Sequence, residues 1–208
     1  MAFFCSPKIV TDGLVLSLDA ADKNSYVSGS ATWFDLAGSN NGTLTNGPTF
    51  SSTNGGSIIF DGVDDYTNLG NVSSLILLNN QFTVNFWLKL GGSARGDFFS
   101  IKNFNASQDD IGFLIETTNK LQAYFKVQGV VTNNISNRAS ISNATLSRNT
   151  IYNLCCMKEA SQKIALYING ILDNNTYSTT TNTATVALTP LWVGSNKSDA
   201  TTPTSVWN

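Results

Sequence analysis

Apolar and polar residues alternate regularly over residues 82–90, where the sequence reads FTVNFWLKL. The even-numbered positions of this segment are all apolar, whereas the odd-numbered positions carry Thr83, Asn85, Trp87 and Lys89. Side chains of a β-strand point to opposite faces in turn, so this period of two predicts a strand with one buried face. A helix would distribute the same apolar residues around its circumference.

Similar patterns along the rest of the chain predict an all-β fold. Further strands are expected at residues 13–20 (GLVLSLDA), 151–158 (IYNLCCMK), 163–169 (KIALYIN) and 191–194 (LWVG), with a hairpin over residues 112–127 and a strand–turn–strand unit over residues 56–69. The dipeptide Asn169-Gly170 is a strong type I′ hairpin signal. Asp61-Gly62 predicts another tight turn. Together these elements predict a jelly-roll sandwich of two antiparallel sheets.

The apolar positions of the predicted strands define the core that we expect between the two sheets. These positions are Leu14, Leu16, Leu18, Ile59, Phe82, Val84, Phe86, Leu88, Leu166 and Ile168. Cys155 and Cys156 are adjacent in a predicted strand and should lie on opposite faces. A buried free cysteine acts there as a small hydrophobic residue.

Length and composition bound the class of protein. The chain has 208 residues, of which 41% are hydrophobic and 12% are charged, so it suits one sandwich domain with a sizeable core. The formal net charge is −2 and no basic run occurs, so we expect no nucleic-acid partner. No stretch of about 18 apolar residues occurs, so no membrane insertion is expected.

The first residues and the cysteines indicate where the protein is assembled. The opening sequence MAFFCSPKIVTDG has no basic stretch before a long apolar run, as a secretory signal would have. The chain has three cysteines, Cys5, Cys155 and Cys156. An odd number that includes one adjacent pair does not indicate a set of structural disulfides. Assembly in a reducing cytoplasm is therefore expected.

Residues 1–12 are expected to form an amino-terminal arm outside the sandwich. Their apolar residues Phe3, Phe4, Ile9 and Val10 follow no period, and a proline interrupts them. Such an arm either packs over the sandwich or anchors the chain in a partner subunit.

The residues needed for hydrolytic catalysis are missing, so we expect a protein that is not an enzyme. The chain has no histidine, which excludes the Ser-His-Asp and Cys-His nucleophilic mechanisms. Glycoside hydrolysis needs two carboxylates at a set separation. The two glutamates of the chain, Glu116 and Glu159, have no acidic residue two positions away.

Clustered aspartates are the candidate metal ligands. Asp61, Asp64 and Asp65 fall together, and Asp109 and Asp110 form a second pair. Hard cations such as calcium take carboxylate and carbonyl oxygens as ligands. The alternative is an ordinary turn with solvated carboxylates, and no other cofactor is expected.

Tryptophan and asparagine side chains are the candidate ligand-binding groups. Trp87 and Asn85 lie on the polar face of the predicted strand, and Trp33 is a further aromatic platform. Aromatic faces flanked by amides are suited to sugar rings and their hydroxyl groups. If that face is open, Trp87 is a ligand or interface residue; if it is covered, Trp87 is packing.

Several segments, taken in order, resemble the laminin G-like type of the concanavalin A-like lectin/glucanase jelly roll. They are GLVLSLDAAD (residues 13–22), WFDLAGSNNGTL (33–44), IIFDGVDDYTNLG (58–70), FTVNFWLKL (82–90), IYNLCCMKEASQKIALYINGILDN (151–174) and LWVGSN (191–196). The resemblance implies a single domain over residues 13–208 and a lectin-like function with surface glycans as partners. The glucanases of this superfamily carry an E-x-D-x-E motif, which this chain lacks.

The opening sequence MAFFCSPKIVTDGLVLSLDAADKNSY resembles the start of virion proteins of large tailed phages that carry this domain. This second resemblance implies a virion surface protein, either a head decoration or a fibre or tail component, assembled in the host cytoplasm. Its partners would be other virion proteins and copies of itself. Recognition of host-surface glycans, with calcium as a possible requirement, is the alternative function and is compatible with the first. A glucanase-like hydrolase is a third hypothesis.

One departure from the family pattern concerns the end of the domain. In this family a strand of the form G-x-I-x-x-V-x-x-Y-N-R usually follows the VGSN segment and pairs near the first strand. The sequence stops at Asn208, where that strand would begin. We therefore expect a domain without its last strand, because either the sequence is incomplete or a neighbouring subunit supplies the strand.

Overall fold

The three-dimensional structure is a computed structural model of the chain. It describes residues 10–72, 81–91, 96–102, 110–126, 139–159, 163–177, 190–197 and 203–206. Phe3, Phe4, Cys5, Ile9 and Asp109, all named above, lie outside the described residues, as does the side chain of Asp110. Val10, the remaining apolar residue of the predicted arm, is described and is exposed.

Strands dominate the described residues, as the sequence predicts. They are β1 (Thr32–Trp33), β2 (Gly42–Thr45), β3 (Thr49–Ser51), β4 (Ser57–Ile59), β5 (Tyr66–Asn71), β6 (Phe82–Lys89), β7 (Gly96–Lys102), β8 (Asp110–Ile115), β9 (Leu121–Lys126), β10 (Ala139–Ile141), β11 (Ile151–Lys158), β12 (Lys163–Ile168), β13 (Ile171–Tyr177), β14 (Pro190–Val193), β15 (Ser195–Lys197) and β16 (Pro203–Val206). A 3-10 turn at Thr53–Gly55 is also present. None of the described residues belongs to a helix long and apolar enough to cross a membrane.

Two antiparallel sheets form the sandwich. The large sheet has eight strands in the order β1-β2-β5-β14-β7-β8-β9-β10, and the small sheet has four strands in the order β13-β12-β11-β6. The pairs β3-β4 and β15-β16 form two further, two-stranded sheets. This arrangement confirms the predicted all-β, two-sheet fold.

The core lies between the inner faces of the two sheets. Leu154, Cys156 and Leu166 of the small sheet join Phe99, Ile111, Phe113, Ile115 and Leu191 of the large sheet in one buried cluster. The ring centroid of Phe86 in β6 lies 4.7 Å from that of Phe98 and 6.0 Å from that of Phe113, so aromatic contacts join the two layers. The predicted core residues Leu16, Leu18, Phe82, Val84, Phe86, Leu88 and Ile168 pack against this cluster.

The alternation in β6 and the two hairpin predictions are confirmed. Along β6 the even-numbered residues are half-buried and the odd-numbered residues are exposed. Strands β8 and β9 pair across a turn, and β12 and β13 pair across Asn169 and Gly170. Asn169 has φ 52° and Gly170 has φ 77°, both in the left-handed region that a type I′ turn requires. Cys155 is partly exposed and Cys156 is buried, so they lie on opposite faces as predicted.

The prediction of a strand at residues 13–20 is wrong, because the backbone of this segment bonds to a loop instead of a neighbouring strand. The Ser17 N–H donates to Asp35 Oδ1 at 2.9 Å. The Ser17 carbonyl accepts the Leu36 N–H at 2.9 Å. The Val15 carbonyl accepts from Asn40 Nδ2 at 3.1 Å. Leu16 and Leu18 still pack on the core. The apolar pattern therefore correctly indicates that these side chains are buried, but it does not mean that the segment pairs with another strand.

The strand–turn–strand prediction around Asp61 is wrong in its pairing. The turn itself forms, since Asp61 Oδ1 accepts the Val63 N–H at 2.8 Å. The two strands that flank the turn do not pair with each other, however. Strand β4 pairs with β3, whereas β5 pairs with β2 and β14. Because β4 leaves the sandwich, Ile59 is 48% exposed, and the prediction that it belongs to the core is also wrong.

On the outer face of the large sheet, a row of residues that crosses the central strands is buried. Register aligns Trp192, Ser100, Gly112 and Tyr124 across four adjacent strands on the side opposite the core. Trp192, Ser100 and Tyr124 are all buried. A methyl group at Gly112 would lie only 2.3 Å from the ring of Tyr124, so the tyrosine ring packs directly over the glycine. A ligand cannot reach this row in the structure.

Replacing Gly112 by alanine should lower the free energy of unfolding by about 1–3 kcal/mol, because the buried Tyr124 ring must shift to admit the methyl group. Chemical denaturation of G112A measures the change. The same substitution in a Tyr124→Ala background should cost markedly less, since the clashing ring is gone. Equal costs in both backgrounds would contradict the contact.

Candidate functional site

The outer face of the small sheet is accessible to solvent around Trp87, unlike the buried row on the outer face of the large sheet. Its residues alternate with those that face the core. Those that are at least partly exposed are Thr83, Asn85, Trp87 and Lys89 of β6, Ile151, Asn153, Cys155 and Met157 of β11, Lys163 and Tyr167 of β12, and Leu172 of β13. Ala165 and Asn175 have the same parity, but Ala165 is buried and so is the Oδ1 of Asn175. We call the set of at least partly exposed residues the open face.

Trp87 is the most prominent side chain of the open face, with 75% of its surface exposed. It pairs directly with Asn153 of β11. Asn85 lies two residues earlier on the same face, about 7 Å along the strand, and is also exposed. The structure therefore brings the predicted residues Trp87 and Asn85 together on an accessible surface.

Asn153 adds an amide group beside Trp87, and Asn169 adds another on the far side of Asn153. The Asn153 N–H donates to Asn169 Oδ1 at 2.9 Å. The Asn169 N–H donates to the Asn153 carbonyl at 2.8 Å. Asn153 Nδ2 approaches the carbonyl of Phe86 at 3.4 Å. These bonds hold the exposed β12–β13 turn against Asn153 and keep the amides in place.

The chemistry of this arrangement suits a ligand that is flat on one side and rich in hydroxyl groups. An exposed indole offers a large apolar face, and each amide offers both donors and acceptors. Tyr167 extends the aromatic surface one strand further, since it pairs with Cys155 in the row that also contains Asn85. A pyranose ring has these complementary properties.

Trp33, the third predicted ligand-binding residue, lies elsewhere. It belongs to β1 at the edge of the large sheet and pairs with Gly42. Its Nε1 is buried, with no hydrogen-bond partner among the described residues. The structure thus does not bring Trp33 into one site with Trp87 and Asn85.

The aspartates proposed as metal ligands do converge. One carboxylate oxygen from each of Asp61, Asp64 and Asp65 lies within 4.8 Å of the others. Asp65 is only 3% exposed, and its Oδ2 accepts the Asp61 N–H at 2.9 Å. Carboxylate oxygens are ligands that calcium accepts, and this spacing fits ligands shared by one ion. Calcium at this loop stays a prediction.

Burial raises the pKa of Asp65, and the charges of Asp61 and Asp64 raise it further, while the Asp61 N–H lowers it. The folded state therefore holds this proton more tightly than the unfolded chain, whose ordinary value is 3.8. The resulting stabilisation is complete below pH 3.8 and is lost as the pH rises through the folded pKa.

Replacing Asp65 by asparagine should remove this pH dependence, because asparagine can still accept the Asp61 N–H without ionising. The free energy of unfolding of D65N, relative to the wild type, should rise with pH above 3.8 in chelator-treated buffer. Denaturant titrations over a pH series measure it. The same substitution at the exposed Asp12 controls for the loss of one negative charge. A constant difference between D65N and wild type would contradict the assignment.

The groups considered for catalysis are dispersed. Glu116 follows β8 of the large sheet, whereas Glu159 follows β11 of the small sheet. Burial raises the pKa of the Cys155 and Cys156 thiols, which favours the protonated, weakly nucleophilic form. The absence of enzymatic activity remains a prediction.

Residues that complete the open face were not singled out from the sequence. Asn153 and Tyr167 lie on strands far from β6 along the chain, and Asn169 lies in the turn between β12 and β13. Asn153 and Tyr167 have the outward parity of their strands, which the sequence pattern contains. Their placement on the same surface as Trp87 depends on the pairing of β6 with β11 and of β11 with β12, which a pattern within one strand does not specify.

Comparison with known proteins agrees with the fold. A laminin G-like profile of the concanavalin A-like lectin/glucanases superfamily matches residues 61–206. No curated protein matches the chain.

Three solved structures illustrate the likeness. The receptor-binding domain of botulinum neurotoxin C/D mosaic serotype has a TM-score of 0.62 at 16% identity, over 89% of this chain and 44% of that one. A Ruminococcus gnavus sialidase CBM40 bound to α2,3-sialyllactose has a TM-score of 0.53 at 12% identity, over 71% and 83%. Domains LG4-5 of mouse laminin α1 have a TM-score of 0.47 at 14% identity, over 62% and 33%.

The likenesses to the toxin domain and to the CBM40 module show the fold alone, since the identities are low. The chain spans about a third of the laminin structure, less than half of the toxin domain and most of the CBM40 module. The profile, in contrast, covers most of the chain. The chain therefore belongs to the concanavalin A-like lectin/glucanase superfamily, in its laminin G-like family.

Proposed function

We propose that this chain is a glycan-binding module and that its carbohydrate-binding surface is the open face around Trp87. The observation that carries the proposal is the 75% exposure of this indole on a strand whose other face packs on the core. Trp87 lies on β6, an edge strand of the small sheet in the described residues, and an exposed aromatic surface bordered by polar groups is typical of an interaction site. The neighbouring amides of Asn85 and Asn153 can bind hydroxyl groups, which suits a sugar ring that stacks on the indole.

The outer face of the large sheet is less suitable for binding a glycan. The row of Trp192, Ser100 and Tyr124 on the large sheet is buried. The CBM40 structure supports the proposal as a precedent, because its printed description is of a binding module holding sialyllactose and this chain covers 83% of it.

A glycan array tests this function. The wild-type protein should bind a defined subset of saccharides, and W87A should lose that binding. Phe34→Ala is the matched control, because Phe34 is also an exposed aromatic residue but lies outside the open face. Arrays run with calcium and with a chelator show whether the Asp61–Asp64–Asp65 cluster contributes. Absence of binding by the wild type in both conditions would overturn the proposal.

A second proposal concerns where the module acts. We propose that it is displayed on a phage virion, in a head decoration or in a fibre or tail component, as the resemblance of the opening residues implies. In that setting the open face could instead contact another virion protein or a second copy. Mass spectrometry of purified particles tests the location, and particles that lack the chain would refute it.

A further inference from the structure

Strand β6 (Phe82–Lys89) forms one edge of the small sheet, since among the described residues it pairs with β11 alone. This pairing runs over all eight residues of the strand without a register shift. In an antiparallel ladder each residue directs its N–H and its C=O to the same side, and successive residues alternate between the two sides. Every second residue of β6 therefore directs its backbone groups away from β11.

The hydrogen bonds of β11 identify these residues. The N–H of Asn153 donates to Asn169 Oδ1, and its C=O accepts the Asn169 N–H, so both backbone groups of Asn153 point away from β6. Its partner Trp87 must then point away from β11. The same holds for the other odd-numbered residues of the strand, Thr83, Asn85 and Lys89.

We call the outward N–H and C=O groups of these four odd-numbered residues the β6 edge. None of the groups has a hydrogen-bond partner among the residues that the structure describes. The side chains between them are apolar and only half-buried, as at Val84 and Phe86. On β11, in contrast, Leu154 is 0% exposed and Cys156 is 1% exposed. A further strand beside β6 would pair the backbone groups and cover this apolar surface.

The other edges of the two main sheets carry the protection that β6 lacks. Strands β1 and β10 at the edges of the large sheet have only two and three residues. Strand β13 has a register shift, and its Asp173 carboxylate accepts the N–H groups of Asn143 at 2.6 Å and Ala144 at 2.9 Å. Short strands, irregular pairing and side-chain contacts all hinder the addition of a strand. Strand β6 is long and regular, with Lys89 as its one charged residue.

The large sheet limits what fits beside β6. The Phe86 ring lies 4.7 Å from that of Phe98 and 5.7 Å from that of Phe99, so β6 lies over β7. Because β13 contacts the loop after β10, the strands β14, β5, β2 and β1 extend the large sheet past β6 on its unpaired side. A second sandwich placed edge to edge would collide with these strands. A single extended segment needs only about 4.8 Å of width.

We propose that the β6 edge binds an extended segment of a partner protein as an added antiparallel strand. Apolar side chains at alternate positions of this segment face the core beside Val84 and Phe86, and polar side chains lie between them. An acidic residue opposite Lys89 matches its exposed ammonium group. The interaction does not depend on glycan binding, because backbone groups at the edge form it.

A fluorescently labelled peptide of sequence Glu-Val-Thr-Val-Thr-Val-Thr is the probe, and fluorescence anisotropy measures its binding. In antiparallel register its glutamate lies opposite Lys89, its central valine lies opposite Phe86, and its threonine amides face the β6 edge. The wild type should bind this peptide. N-methylation of the threonine amides should weaken binding about tenfold or more, because the ladder bonds are lost. N-methylation of the valine amides, which face away, should change it about twofold or less.

Replacing Asn85 by proline is the matching change in the protein. The Asn85 N–H faces outward, so N85P removes no bond to β11 but blocks the added strand. N85P should weaken binding about tenfold or more, whereas N85A, which keeps the N–H, should stay within about twofold of the wild type. An amide NMR spectrum checks that N85P is folded. If it is not, the two methylated peptides decide the outcome.

Three results would overturn the proposal. The first is no binding of the unmodified peptide at about 1 mM. The second is equal binding of the two methylated peptides, which would place the peptide elsewhere. The third concerns a different occupant: if the wild type alone sediments as a dimer that N85P or N-methylation-sensitive peptide competition dissolves, the edge belongs to a second copy. None of these results affects the glycan array.

Discussion

Replacing Trp87 by alanine should weaken saccharide binding about thirtyfold, or about 2 kcal/mol, as expected for a central aromatic contact. The stability of the fold should change by less than about 0.5 kcal/mol, because the indole is 75% exposed and does not belong to the core. The two effects are separable because the inner and outer faces of β6 use different residues. Calorimetry and chemical denaturation on the same preparations measure both.

Two variants sharpen this expectation. W87F keeps an aromatic face of smaller area and should retain part of the affinity. Phe34→Ala removes a similarly apolar side chain outside the open face and should leave the affinity unchanged. If W87A bound as tightly as the wild type, the open face would not be the binding surface.

Replacing Asp35 by alanine should lower the free energy of unfolding by about 3 kcal/mol, because several backbone groups lose their acceptor at once. Its Oδ1 accepts the N–H groups of Ser17 and Ala37, both at 2.9 Å. Its Oδ2 accepts the Asn40 N–H at 3.1 Å. The carboxylate is nearly buried, so water cannot easily replace these bonds.

The comparison that isolates this effect uses two further variants. D35N should be less damaging than D35A, since its single carbonyl oxygen can still serve the Oδ1 partners. Asp22→Ala removes a carboxylate that, among the described residues, accepts from Asn24 alone in an exposed turn, so it should cost about 1 kcal/mol or less. Equal losses for D35A and D22A in denaturant titrations would show that Asp35 does not anchor residues 14–18.

The parts of the fold that follow from local physics could be predicted from the sequence. The period of two along β6 directs Val84 and Phe86 inward and Trp87 outward, and the structure agrees. The Asn169-Gly170 turn also needs only local information, because few other dipeptides adopt two successive positive φ angles. In these segments, propensity and burial favour the same structure.

The errors arise where distant groups decide the local structure. Residues 14–18 have the pattern of a strand, yet the carboxylate of Asp35 and the amide of Asn40 take up their backbone groups. The turn at Asp61 is correct, but the sequence does not specify that β4 and β5 join different partners.

The open face could be predicted only in part, for the same reason. Asn85 and Trp87 share one strand, so their spacing is visible in the sequence. The addition of Asn153 and Asn169 depends on the register between β6 and β11, which lie more than 60 residues apart.

A residue-resolved NMR titration of the isotope-labelled chain with a saccharide identified on the array tests the central claim most directly. We predict that the largest shifts occur at the Trp87 indole N–H and at the side-chain amides of Asn85 and Asn153. The indole N–H of Trp33 should remain unchanged. Shifts confined to the Asp61–Asp65 loop or to the surroundings of Trp33, with Trp87 unperturbed, would contradict the claim that the open face binds glycans.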